Sequence, residues 1–228
     1  GFSVEFAEHR TYGQGDEIKH IDWKLYGKTD RYYVKRFEEE TNLRSYILLD
    51  TSKSMNYKSK NITKLKYGES LTAGLTHLMI NQKDAVGLIL FDDVIRKYIP
   101  PKTSKSHKNI IFNSLNKCRA GKNTNIKLIL DTMAERIKKS GLVILISDLL
   151  DDPKNVMKGL NHFRHNKQEV IVFHLIDKQE FNFTFNERTR FTDMETGETI
   201  TTDPWHIQSS YQDKIKLFIK KLLEVEFL

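Results

Sequence analysis

The 228-residue sequence holds one cysteine, four prolines and eleven glycines, and each scarcity narrows what the chain can be. The single Cys118 excludes an internal disulfide and suits a reducing compartment, so a cytoplasmic location is expected. It closes Phe112-Asn-Ser-Leu-Asn-Lys-Cys118, a helix end, where packing rather than nucleophilic attack is its expected role. No apolar run approaches the ~18 residues of a membrane span, and no signal peptide is read at the start. The chain opens Gly1-Phe2 without a methionine. It is therefore expected to be part of something longer, with room outside it for a membrane segment or a second domain. Two catalytic signatures are missing, the G-x-S-x-G elbow of acyl transfer and the G-x-x-x-x-G-K-[ST] phosphate loop. The eight histidines form no close ligating pair; His162 and His165 come nearest, and both are expected on a solvated helix end.

Charge is present but dispersed. Thirty-seven basic against thirty acidic residues give +7, which permits acidic-protein or nucleic-acid partners without demanding either. Lys58, Lys60, Lys64 and Lys66 gather around one loop, and Lys102, Lys105 and Lys108 around another. Solvated loops account for both groups, because no recognisable nucleic-acid-binding fold accompanies them.

The informative stretch is Tyr46-Ile-Leu-Leu-Asp50-Thr-Ser52-Lys-Ser54-Met55. An uninterrupted apolar run without helical period reads as a strand buried on both faces. It ends in a carboxylate followed by two hydroxyls at alternate positions, a D-x-S-x-S set. In open α/β sheets ligands sit at that carboxyl edge. One acid and two hydroxyls suit magnesium, which prefers oxygen ligands in octahedral geometry and takes only one or two carboxylates. The competing reading is that Asp50 or Ser52 caps the next helix.

Taken in order, Gly1 to Arg10 alternates as an edge strand would. A Gly-rich loop follows, in which Asp16 and Asp22 are expected to do turn chemistry and Ile21 and Trp23 to act as anchors. Arg31 to Phe37 reads as a strand, followed by the acidic run Glu38-Glu39-Glu40 on a solvated face. Lys64 to Asn81 reads as a helix with Leu65, Leu71, Leu75, Leu78 and Met79 on one side. Asp84 to Phe91 is a buried strand, and Asp92-Asp93 turn into a hairpin partner closed by Pro100-Pro101. Helices are expected over about 106–117 and 126–139, a strand over Gly141–Asp148, a helix bearing Val156, Leu160 and Phe163, and a strand from Glu169 to Ile176. Residues 181–203 read as a β-rich excursion with a Thr196-Gly197 turn. Tyr211, Ile215, Phe218 and Leu222 mark the final helix. Strands alternating with helices imply a doubly wound, mostly parallel α/β sheet with one antiparallel edge strand and an N-terminal β-containing extension. The expected division is a 1–43 extension packed on a 44–228 core domain.

Two further loops reach the same edge. Thr124 precedes a helix and Asp148 ends a buried strand, so Asp50, Ser52, Ser54, Thr124 and Asp148 form a candidate Mg2+ site, with Mn2+ or Ca2+ as substitutes. This pattern resembles the von Willebrand factor A fold and its metal-ion-dependent adhesion site. That resemblance implies direct metal contact from Ser52, Ser54 and Thr124, mostly water-mediated contact from Asp50 and Asp148, and a partner's carboxylate completing the shell. A resemblance covering nearly the whole chain is to the bacterial family called domain of unknown function 58. It rests on Tyr12-x-x-Gly15-Asp16-x-Ile18-x-x-Ile21-Asp22-Trp23 and on Val34-Lys-Arg-Phe37-Glu38. Leu49-Asp50-x-Ser52-x-Ser54-Met55, Ile146-Ser147-Asp148 and Asp193-Met-Glu195-Thr196-Gly197 carry the rest. The chain departs from the family at Lys19, where arginine is frequent; the charge is kept and bidentate pairing is lost. Such proteins are typically encoded beside MoxR-type AAA+ ATPases, which implies a role with such an ATPase in assembling or maturing other proteins.

The expected function is therefore non-enzymatic protein binding. A metal-dependent phosphatase using Asp50 as nucleophile is the alternative, with nucleic-acid binding through the basic surface behind it. The phosphatase would want a second acid two residues on, and Ser52 stands there, unable to do general acid–base work near neutral pH.

Overall fold

The computed structural model describes residues 3–40, 43–121, 125–183, 189–192, 199–202 and 205–223. The chain divides into two compact units, Gly1–Asn42 and Leu43–Leu228.

In the first unit β1 (Ser3–Thr11) pairs antiparallel with β2 (Tyr33–Glu40), with a bulge between Phe6 and Glu8. The connection holds a short 3-10 turn and α1 (Trp23–Thr29). Asp22 caps α1 by accepting from the Lys24 and Leu25 amides at 3.0 Å, and its other oxygen meets His9 Nε2 at 3.0 Å. The His9 contact first, then the Leu25 amide, hold its pKa down at about 2. Asp16 accepts from Arg10 and from the Gly13 amide. Both acids do the turn chemistry expected of them. Two expectations fail. Glu38–Glu40 continue β2 instead of following it, since extended backbone is set by the β1 ladder rather than by side-chain polarity. Trp23 is 57% exposed with its ring edge-on to Tyr26, while Ile21 alone is buried.

In the second unit β3 (Arg44–Asp50), β4 (Ala85–Phe91), β5 (Ile95–Lys102), β6 (Leu142–Ser147) and β7 (Glu169–His174) form one sheet in the order β5-β4-β3-β6-β7. Only β5 runs antiparallel. Alternate residues of β3 face opposite layers. Ile47 and Leu49 pack with Leu65 and Met79 of α2 (Lys64–Asn81) and Ile111 of α3 (Lys105–Asn116). Tyr46 and Leu48 pack with Ile129 and Met133 of α4 (Ile126–Arg136) and with Leu160 and Phe163 of α5 (Pro153–His165). A sheet covered on both faces explains why its central strands are apolar throughout. Burying each such leucine or isoleucine contributes about 1.5–3 kcal/mol. The chain continues through α6 (Lys178–Asn182), β8 (Thr189–Thr192) paired with β9 (Thr199–Thr202), and α7 (Trp205–Leu223).

The doubly wound architecture with one antiparallel edge strand agrees with the sequence; several details differ. Pro100 and Pro101 lie inside β5 rather than closing it, which an edge strand tolerates where its register against β4 is already broken, opposite Gly87. Leu78 is 54% exposed, off the buried face of α2. Helix α4 stops at Arg136, and the five-residue α6 opens the excursion where only β structure was expected. The Thr196-Gly197 turn lies outside the described residues.

Candidate functional site

The first crossover carries the chain from β3 to β4 on one side, and the later return places β6 on the other side of β3. The strand order therefore reverses between β3 and β6, and their carboxyl ends open a crevice. Asp50 ends β3 there and Asp148 follows β6.

Asp50 is fully buried. Its Oδ1 accepts from the Ser52 amide at 2.8 Å and its Oδ2 from the Ser147 hydroxyl at 2.5 Å. Burial first, then the charge of Asp148, push its pKa up to about 7 against those hydrogen bonds. The next residue, Thr51, sends both its amide (2.7 Å) and its hydroxyl (2.8 Å) to the Phe91 carbonyl, tying the loop to β4. Buried Met55 holds the following 3-10 turn. With the loop fixed on both sides, the hydroxyls of Ser52 and Ser54 hydrogen-bond one another at 3.0 Å in the interior.

The Ser52 side chain does not cap the 3-10 turn, and Thr63 caps α2, so the capping alternative falls away for Ser52. Thr124 lies outside the described residues. Its loop is secured on one side by the Gly121 amide on the Thr51 carbonyl at 2.7 Å. On the other side Asn125, not Thr124, caps α4. A methyl group at Gly121 would collide with Asp92 Oδ2, so glycine lets this loop lie directly on the end of β4.

Asp148 is differently engaged. The ammonium of Lys64, at the first turn of α2, lies 2.8 Å from Asp148 Oδ2, an ion pair without hydrogen-bond alignment. The same ammonium reaches the two Glu180 oxygens of α6 at 3.0 and 3.1 Å and lies 5.6 Å from the Tyr57 ring centroid. His174 Nε2 donates to the Asp148 carbonyl at 3.1 Å, and burial lowers its pKa. Next to Asp148, Leu149 is held at φ 55° while fully buried, a left-handed conformation that costs a leucine about 1–2 kcal/mol. A cavity of about 570 Å³, lined in part by Leu149, Leu175 and Phe218, adjoins this ion cluster.

Four of the five expected site residues thus fall at one sheet edge. Lys64 overturns its expected place on a solvated loop: it is buried between two carboxylates. Ser147 and Glu180 also escaped residue-level reasoning. A signal existed for Lys64, because a lysine in the first turn of a helix opposes the helix dipole and needs an acidic partner. Cys118 is buried with its thiol pushed up to about 11, chiefly by that burial, in keeping with packing.

Among the described residues no group of three or more His, Cys, Asp or Glu could hold a metal, so any cation here would depend on hydroxyl oxygens. The geometry suits one. Magnesium–oxygen bonds of about 2.0–2.1 Å place neighbouring octahedral ligands about 3 Å apart, a separation that the hydrogen-bonded Ser52–Ser54 pair already keeps. Ser52 and Ser54 can therefore contact an ion directly, with the Asp50 carboxylate behind them to balance its charge. Asp148 is instead ion-paired to the buried Lys64 ammonium.

A doubly wound, von Willebrand factor A-like sheet with a hydroxyl–carboxylate cluster at its switch point is the class these observations define. The sequence model described as protein of unknown function DUF58 matches residues 8–216, and the chain belongs to that family. It is 21% identical over 183 residues to the uncharacterized protein Rv1480 of Mycobacterium tuberculosis, covering 79% of this chain. The chain spans only 57% of that curated relative's length. The fold is similar to that of an aerotolerance-related membrane protein from Bacteroides fragilis, with a TM-score of 0.54 and 16% identity over 75% of this chain and 87% of that one. It is also similar to the conserved hypothetical protein BatB from Bacteroides thetaiotaomicron, with a TM-score of 0.50 and 16% identity over 80% and 99%.

Proposed function

We propose that this chain is a non-enzymatic protein-binding module whose Asp50, Ser52, Ser54, Thr124 and Asp148 hold Mg2+. In this reading a partner's acidic side chain docks at the ion. The observation that carries it is the buried hydroxyl pair of Ser52 and Ser54, 3.0 Å apart beside Asp50. When bound, the ion supplies an electrophilic point for a carboxylate. The chain's own residues fix its position: Thr51 and Met55 hold the serine loop, and Ser147 orients Asp50. The first unit is a family-specific addition to the core domain. A MoxR-type AAA+ ATPase, or a client protein it remodels in the cytoplasm, is the proposed partner, by family resemblance.

A phosphatase reading is weaker, because Asp50 is fully buried and Ser52 stands where the second acid would be needed, unable to do general acid–base work near neutral pH. Calorimetric titration of Mg2+ tests the proposal, with acetate present in place of the partner's carboxylate. One saturable site, lost in Ser52→Ala while the fold persists, is expected. No binding in the wild type with acetate present would overturn it.

A further inference from the structure

The two edges of the five-stranded sheet are built differently. β5 carries Arg96, Lys97, two successive prolines and two breaks in register against β4. Charge, missing donors and a kinked ladder are each ways of refusing another strand. At the opposite edge β7 reads Glu169-Val-Ile-Val-Phe-His174, with no proline, no lysine and an even register against β6.

The backbone of β7 can be followed residue by residue. The Glu169 amide donates to Gly141 and the Leu175 amide to Ser147, both at 2.9 Å. In a strand, alternate residues turn their backbone groups to the same neighbour. Ile171 and Phe173 therefore also face β6, and Val170, Val172 and His174 turn their N–H and C=O groups outward. Among the described residues no strand pairs with that side. A row of donors and acceptors at every second residue is complementary to an extended polypeptide.

Side chains around this row add apolar character and a sign of charge. Ile171 is 45% exposed, and Ile62 and Tyr67 are exposed about as much. A groove of about 520 Å³ lined by Ile62, Tyr67, Leu71, Val172 and Phe173, with Asp177 and Lys178, lies beside the second half of the strand and the loop after it. Exposed Lys167 and Lys178 flank its ends. Asp177 and Glu180 nearby are committed to Ser59 and Lys64, which leaves exposed Glu169 to oppose the two lysines.

We infer that the β7 edge is a docking site for an extended segment of a partner protein, apolar at alternate positions and acidic at its ends, which adds as a sixth strand. The inference shares with the proposed function only the kind of partner and makes no use of the metal site. Its test runs in chelator, so that the two can fail separately.

Amide hydrogen exchange by NMR on the whole chain reads the edge directly. In the free protein Val170, Val172 and His174 exchange fast, while Ile171, Phe173 and Leu175 are protected. The probe is a synthetic peptide alternating valine and threonine with glutamate at each end. At roughly ten times its dissociation constant it should slow the three outward amides about tenfold. Val172→Pro removes the central outward donor without touching a bond to β6. It should abolish that protection while the amides of Ile171 and Phe173 stay protected, even though the lost packing of Val172 lowers the melting temperature. Ile171→Lys, a second variant that leaves the backbone intact, should weaken it. Outward amides already protected in the free protein would mean that the edge is covered, and would overturn the inference. So would a peptide that protects none of them, or one that binds Val172→Pro as it binds the wild type.

Discussion

Replacing Asp50 with asparagine should make the metal-free protein more stable, although it deletes the most buried carboxylate of the site. The acid's pKa rises from an ordinary 3.8 to about 7, chiefly because burial penalises its charge and secondly because Asp148 lies nearby. A folded-state pKa above the unfolded one means that the folded chain holds the proton longer. Stability from this group is therefore greatest below about pH 4, falls as pH rises toward about 7, and is flat above. At 1.36 kcal/mol per pH unit the ceiling is about 4 kcal/mol; relaxation and water entry reduce the expected effect to about 1–3 kcal/mol. Asparagine keeps an oxygen for the Ser52 amide and its NH2 can donate to the Ser147 oxygen, but the Ser147 hydroxyl then loses its acceptor, a cost that keeps the gain toward the lower end of that range. For a chain of this length about 2–4 °C accompanies each kcal/mol, so a gain of about 2–12 °C is expected near pH 8. The assay is thermal melting in chelator across pH 5–8, following the difference between variant and wild type. That difference cancels buried His174, whose lowered pKa acts in the opposite sense. Adding Mg2+ should raise the wild type and leave the variant unmoved. A variant no more stable than the wild type at pH 8 in chelator would refute the reasoning.

Lys64→Met strands Asp148 and Glu180 as buried or half-buried carboxylates and should cost about 3–5 kcal/mol in urea unfolding; a loss under about 1 kcal/mol would mean that water already screens the pair. Gly121→Ala drives a methyl group into Asp92 Oδ2. It should destabilise by about 1–3 kcal/mol and weaken Mg2+ binding in the acetate titration, whereas unchanged stability would show that the loop can step aside. Cys118, with its thiol held up near 11 by burial, should react with Ellman's reagent only in step with unfolding; labelling of the native protein within minutes at pH 8 would contradict its burial.

The sequence was most legible where burial is two-sided. Tyr46–Leu49 and Leu142–Ile146 are apolar without a period because helices cover both faces of β3 and β6, and nothing but a central parallel strand needs that. Asp50, Ser52, Ser54 and Asp148 were legible for a related reason, since polar residues ending such strands must emerge at the same sheet edge. Lys64 was not legible, because its role depends on Asp148 and on Glu180, more than a hundred positions away. Composition around it, with Lys58, Lys60 and Lys66 close by, argued for solvent. Helix α6 escaped because five residues carry no hydrophobic period. Its stability comes from Asp177 and Glu180 capping one another and from the grip of Lys64. Pro100 and Pro101 misled for the opposite reason: proline ends a central strand but is at home on an edge.

The unlike edges of the sheet also set what the molecule can build with copies of itself. Head-to-tail growth, β5 of one copy onto β7 of the next, would give an unbounded ribbon, and the charges of β5, its broken register and the one outward donor its adjacent prolines remove all oppose it. Within the five-stranded sheet the pairing this leaves between copies is β7 against β7, a two-fold arrangement that closes on itself after a pair. With one receptive edge, growth through this sheet stops at a pair.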